Sequence, residues 1–205
     1  MLPDRVRIVE VGPRDGLQNE TGVVPSAAKI AFVDGLGAAG LEEIEVSSFV
    51  SSQWVPQLAD AEIVFAGINR RPGVHYTALV PNQKGLERAL AAKATKIAVF
   101  TAASDTFNKK NTNATIAESL QRFMPVIESA RVAGLTVRAY VSTAFYCPYE
   151  GRVAPNAVEG VVTNIETIYY CHSVIVTTGT FLNGLIHIGE VTFGGGRAGD
   201  KASHG

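Results

Sequence analysis

Cysteine is scarce in this 205-residue chain, with Cys147 and Cys171 its only two. They give no disulfide framework and no CxxC pair for zinc, and they suit a reducing compartment. No window approaches eighteen consecutive apolar residues, so no membrane span is expected. The first residues, MLPDRVRIVEV, run straight into a strand and lack the apolar core of a secretion signal, so a cytoplasmic location is expected. Charge of one sign is missing too. Eighteen Lys and Arg against 19 Asp and Glu leave a net charge of -1, so no overall field draws nucleic acid or an anionic membrane. The four histidines, His75, His172, His187 and His204, form no His-x-His or HExxH pair. His172 follows Cys171, but neighbours on a strand face opposite ways, so that pair reads as structural. His75 reads as the surface opening of a strand.

What remains is an ordinary globular composition, 46% hydrophobic and 18% charged, long enough to bury a full core. Strands are expected at 5–11, 41–49, 75–81, 96–103 and 136–144. Helices are expected at 25–40, 56–68, 83–94 and 115–134, from apolar periodicity and stop signals such as Gly40 and Gly134. Thr115 and Glu118 have capping-box spacing, and Pro125 predicts a kink. Strand–helix repetition at this spacing means a parallel sheet, closed as a (β/α)8 barrel or open and doubly wound. Either closure gathers reactive groups at the C-terminal ends of the strands. The polar clusters PRDGLQNE, SSFVSS, PNQKG, TAASDTFNKKN and STAFYCPYEG all fall there. Near residues 155–158 the rhythm stops. Residues 159–181 read as strand, turn, strand, and 193–205 as a glycine-rich tail, giving expected domains of 1–157 and 158–205.

At the first strand end, Asp15 is a hard oxygen ligand suited to a divalent cation. Arg14 offers a planar fork of donors for a carboxylate, phosphate or enolate oxygen. A structural ion pair in a turn stays open as the plainer reading. In EEIEVSS the alternation puts Glu43, Glu45 and Ser47 on one face, with Ile44 and Val46 on the other. A carboxylate inside a barrel must be paired, protonated or near a metal. The exposed face of an edge strand is the other reading. Lys109, Lys110 and Asn111 could meet a phosphate-bearing tail, but such a short run more often marks a solvated loop. Cys147 is expected at the mouth of the barrel with no adjacent base to activate it.

VEVGPRDGLQNE, IEVSSFVSSQWVPQLAD, ALVPNQKGLERAL, FTAASDTFNKKNTNATIAES and CPYEGRVAP together resemble the 3-hydroxy-3-methylglutaryl-CoA lyase family, over about residues 5–157. The resemblance implies an α/β fold of the (β/α)8 TIM-barrel type, here incomplete with about five βα units, followed by a β-rich tail. It also implies cleavage of 3-hydroxy-3-methylglutaryl-CoA to acetyl-CoA and acetoacetate. By resemblance, Asp15 holds Mg²⁺ or Mn²⁺, Arg14 steadies the enolate oxygen, Glu45 supports the site and Gln18 lies close to the substrate. The implied partner is a small acyl-CoA, with no nucleic acid and no membrane.

The sequence departs from that pattern. It shows no His-x-His metal ligands, no asparagine ligand and no cysteine on a glycine-rich loop, so the cation is incompletely liganded and impaired activity is expected. Tyr146 stands where the family carries glycine, and Ser52-Gln53 where it carries Pro-Lys. Residues 159–203 are similar to the flavin-binding subunit family that modifies tRNA wobble uridines. The dinucleotide glycine motif is missing, so FAD is not expected. Two alternatives follow: an inactive fusion or interaction module that associates through exposed sheet edges, or a flavin or tRNA-modification fragment.

Overall fold

A computed structural model describes residues 7–154 and the backbone of Leu185–Ile188 and Val191–Gly194. In chain order, β1 spans Val9–Glu10, α1 Ser26–Ala38, β2 Glu43–Ser48, α2 Ala61–Gly67 and β3 His75–Leu79. They are followed by α3 at Gln83–Ala91, β4 at Lys96–Ala102, α4 at Asp105–Thr112, α5 at Ile116–Val132 and β5 at Thr136–Ser142. The short strands β6 (Tyr146–Cys147) and β7 (Gly151–Arg152) form an antiparallel hairpin. A second antiparallel pair joins β8 (Leu185–Ile188) to β9 (Val191–Gly194). The strand–turn–strand expected at 159–181 lies outside the described residues, as do Cys171, His172 and His204. No described helix is long and apolar enough to cross a membrane.

Strands β1 to β5 make one sheet in sequential order. The pairs β1–β2, β2–β3 and β3–β4 are parallel. A doubly wound sheet reverses its building direction at a switch point, whereas a barrel adds each new strand to the same edge. The sequential order therefore settles the choice for an incomplete (β/α)8 arrangement of five strands.

The chain divides into two compact units, one formed by Met1–Val99 with Arg122–Arg138 and the other by Phe100–Gln121 with Ala139–Gly205. In the first, the helices cover one face of the sheet. Val33, Ile44, Val46, Phe49, Phe65, Tyr76, Val80, Leu86, Ile97, Phe123 and Val126 fill the layer between. Every residue of β2 is buried, as expected of a parallel strand covered on both faces rather than an edge. Its register slips between Glu45 and Ser47. Glu45 pairs with Thr77, but Ser47 pairs with Ala78 and Ser48 with Leu79. Thr77 shares the face of Glu43, because its hydroxyl lies 3.4 Å from that carboxylate, while Ala78 belongs to the core layer. The slip is a β-bulge that breaks the period-two pattern, so Ser48, not Ser47, follows Glu43 and Glu45 on the inner face.

One other local expectation changes. The helix expected over 56–68 divides into a short turn at Pro56–Leu58 and then α2. Between them the Asp60 carboxylate accepts from Ser26 Oγ at 2.6 Å and from the buried Lys29 Nζ at 2.5 Å. Helix α5 runs through Pro125 as one element, with the proline on its exposed side. There solvent can take up the carbonyl that the missing N–H leaves free. Its start carries the expected capping box: Glu118 N donates to Thr115 Oγ1 at 3.1 Å, and Thr115 N to Glu118 Oε2 at 2.7 Å.

In the second unit, Lys109, Lys110 and Asn111 belong to α4 and not to a loop. Ser104 Oγ accepts from Phe107 N at 3.1 Å and caps the helix, while Asn113 ends it in the left-handed region at φ 52. Cys147 is fully buried, with Sγ 3.0 Å from Ser104 Oγ, so it does not stand open at a mouth. Tyr146 is partly exposed on β6.

Candidate functional site

The strand β1 ends early because Gly12 and Pro13 follow it. Gly12 N donates to Glu10 Oε1 at 2.6 Å, and a Cβ at Gly12 would lie 2.8 Å from that oxygen and 3.4 Å from the Phe32 ring. Only glycine leaves that contact undisturbed. Pro13 brings a fixed φ and no donor to satisfy, and it is buried. The next residues then open into a wide turn, Gly12–Gly16, in which the Val11 carbonyl accepts from Arg14 N at 3.1 Å and Asp15 N at 2.7 Å. Gly16 N approaches the same oxygen at 3.5 Å, the five-residue closure of a π-type turn.

The turn sends Arg14 towards β2. Its Nε donates to Glu45 Oε1, and its Nη1 donates to Asp15 Oδ1 at 2.7 Å. Glu45 has no solvent exposure, Arg14 keeps 13% and Asp15 keeps 55%. A buried carboxylate, a half-buried guanidinium and an exposed carboxylate therefore stand in line from the barrel interior to the surface. Asn19 Nδ2 donates to the Asp15 carbonyl at 2.6 Å and closes the turn from the far side. Gln18 is half-buried and sits three residues beyond Asp15. The sequence thus brings Arg14, Asp15 and Glu45 together, with Gln18 on the same turn.

Glu43, two residues before Glu45, anchors a second cluster that sequence reasoning did not assign. Its carboxylate meets Lys96 Nζ at 2.9 and 3.0 Å, Arg138 Nη2 at 3.1 Å and Arg7 Nη1 at 3.8 Å. Lys96 and Arg138 are single charges inside apolar strand runs, KIAVFTA and TVRAYVS, and that isolation is the signal of an inward-facing ion pair.

Asp15 fits as one hard ligand for a divalent cation, since it is exposed and carries a second oxygen beyond the one that Arg14 engages. Among the described residues no three His, Cys, Asp or Glu side chains group to hold a metal ion. The described chain therefore supplies one ligand and not a cage.

A family model described as HMGL-like matches residues 5–183. The cytoplasmic 3-hydroxy-3-methylglutaryl-CoA lyase of Rattus norvegicus is 58% identical over 157 residues, 77% of this chain and 46% of that protein. A 3-hydroxy-3-isohexenylglutaryl-CoA/hydroxy-methylglutaryl-CoA lyase of Pseudomonas aeruginosa is 53% identical over 165 residues, 80% of this chain and 55% of that protein. The crystal structure of hydroxymethylglutaryl-CoA lyase from Pseudomonas aeruginosa aligns with a TM-score of 0.81 at 50% identity, covering 88% of this chain and 60% of that one. The chain spans about half the length of the curated relatives it matches.

Proposed function

The chain belongs to the HMGL-like family, and from that premise we propose that it carries the enolate-stabilising part of a carbon–carbon lyase acting on 3-hydroxy-3-methylglutaryl-CoA or a close analogue. The observation that carries the reading is the Arg14 guanidinium, held between buried Glu45 and exposed Asp15 at the end of β1. In the cleavage the tertiary hydroxyl loses its proton and its oxygen forms a carbonyl. The C–C bond breaks, and the electron pair passes to the thioester as an enolate, which is then protonated. The products are acetoacetate and acetyl-CoA.

Arg14 suits the moment at which charge reaches the thioester oxygen. Two of its donors are committed to carboxylates, which fixes the plane of the guanidinium, and its remaining N–H groups can face the developing oxyanion. Glu45 holds that geometry from the dry side and keeps the arginine from turning away. A divalent cation on Asp15, Mg²⁺ or Mn²⁺ by this reading, would polarise substrate oxygens as a Lewis acid. Gln18 is assigned to the substrate contact. The thiol usage of the sequence speaks for a cytoplasmic setting.

The test is acetoacetate release from 3-hydroxy-3-methylglutaryl-CoA with Mg²⁺ present, together with substrate binding. Wild type is expected to bind substrate and cleave it slowly, and Arg14→Ala to lower the rate by about 10²–10³. A wild type that neither binds nor cleaves, or an Arg14→Ala variant as fast as wild type, would refute the proposal.

A further inference from the structure

Arg14, Asp15 and Gln18 lie on a segment with little regular structure to hold it. After the wide turn at Gly12–Gly16 the chain reaches α1 at Ser26 without forming a strand. We propose that Asn19 and Gln57 are positioning residues that fix the Arg14–Asp15 turn for a divalent cation on Asp15. The inference rests on the metal reading given above and adds to it what holds the ligand in place.

Asn19 grips the turn with two donors. Its backbone N–H goes to the Gly16 carbonyl at 3.1 Å, one residue short of the partner it would have in an α-helix. The carbonyl so passed over is that of Asp15, and Asn19 Nδ2 takes it instead at 2.6 Å. Gly16 follows, and a Cβ there would meet nothing within 4 Å. The peptide joining Asp15 to Gly16 therefore has open space around it and the freest residue type on its far side. Holding its carbonyl fixes that peptide, and with it the direction in which the Asp15 side chain leaves the backbone. Arg14 Nη1 then orients one carboxylate oxygen and leaves the other for a cation. Asn19 is exposed, so the worth of the bond lies in that direction more than in stability.

Gln57 ties the same segment to the body of the unit. Glu20 N donates to the Leu17 carbonyl at 3.3 Å, closing a turn around Asn19, and the Glu20 carbonyl accepts from Gln57 Nε2 at 3.1 Å. Gln57 is itself anchored, since its own carbonyl accepts from Lys29 Nζ at 2.5 Å. The same ammonium meets Asp60 Oδ1 at 2.5 Å. Lys29 is only 3% exposed, and a buried charge with two such partners does not shift without leaving one of them unpaired. A run of hydrogen bonds thus leads from α1 through Gln57 and the Leu17–Glu20 turn to the Asp15 carbonyl. All of these residues belong to the first compact unit. Polar partners behind a ligand set metal affinity along with the ligand itself.

The test is Mn²⁺ titration of the full chain, read by the electron spin resonance of free Mn²⁺, beside thermal unfolding without metal. Wild type should bind Mn²⁺ more tightly than Asp15→Ala. Asn19→Ala should weaken binding by about tenfold, the lower end for losing a partner behind a ligand, with Tm nearly unchanged. Gln57→Ala, which keeps its main-chain bond to Lys29, should weaken binding by a smaller factor. Val126→Ala, a cavity in the buried core, should lower Tm and leave Mn²⁺ affinity as in wild type. Unchanged affinity in Asn19→Ala or in Gln57→Ala would overturn the role given to that residue while leaving the cation on Asp15. Loss of affinity in Val126→Ala that matches the loss in Asn19→Ala would overturn positioning in favour of general destabilisation. Wild type binding no tighter than Asp15→Ala would overturn both the metal reading and this inference.

Discussion

Replacing Glu43 by glutamine keeps the side-chain shape and removes one charge from the floor of the sheet. The carboxylate is fully buried, and its two oxygens serve Lys96 and Arg138 at 2.9 to 3.1 Å. An amide in its place presents an NH₂ group to at least one of these cations. Removing one member of a buried ion pair costs about 3–5 kcal/mol, because the remaining charge stays desolvated. Lys96 and Arg138 each keep 14% side-chain exposure, so partial hydration lowers the expected loss to about 2–4 kcal/mol. At about 2–4 °C per kcal/mol for a chain of this size, Tm should fall by about 4–16 °C. Urea unfolding should show a lower midpoint with an unchanged slope. Arg138 depends heavily on this contact, since its Nε is buried with no partner among the described residues. Arg138→Gln should therefore cost much less in the Glu43→Gln background than in wild type. A Glu43→Gln variant within about 0.5 kcal/mol of wild type, or strict additivity in the double variant, would refute the argument.

Two further outcomes are expected. Burial raises the Asp60 carboxyl, but hydrogen bonds from Lys29 and Ser26 and the Lys29 charge outweigh it and hold the group below its ordinary value of 3.8. Its contribution to stability is thus full above that value and is lost as pH falls through the lower folded one, because the unfolded chain takes up the proton first. Acid titration of stability should show a shallower decline below about pH 4 in Asp60→Asn than in wild type. Gly12→Ala should push the flexible Glu10 carboxylate off the Gly12 N–H, because the new methyl would stand 2.8 Å from its oxygen, and destabilise the fold by about 0.5–1.5 kcal/mol, the worth of one hydrogen bond, read by thermal unfolding.

The barrel rhythm was legible because apolar strand runs alternate with helix-length segments closed by stop signals such as Gly40 and Gly134, and the sheet then follows in chain order. The meeting of Arg14 with Glu45 was legible from motif and alternation up to the end of Glu45. Beyond it, alternation fails, because a bulge is a property of the pairing with β3 and leaves no mark within EIEVSS. Helix α4 was hidden by its polarity, since DTFNKKNT has too few apolar residues to show a period. Its boundary chemistry was there to read: Ser104 as cap, Asp105 in the first turn, and Lys109 and Lys110 in the last, each matched to the helix dipole. The Glu43 cluster needs three strands to be brought together. Lys96 and Arg138 hint at it only by being lone charges in buried runs.

The bulge in β2 makes one strand answer to two masters. Upstream of it, Glu43 and Glu45 are fixed by the cations they meet across the inner face. Downstream, Ser48 and Phe49 are fixed by Leu79 and by the aromatic contact with Phe65. Because the step between the halves is already irregular, a change of chain length there need not turn the whole strand over. One residue added or removed between Val46 and Ser47 should be absorbed locally, whereas the same change at Ile44 would put Glu43 and Glu45 on opposite faces and drive one carboxylate into the apolar layer.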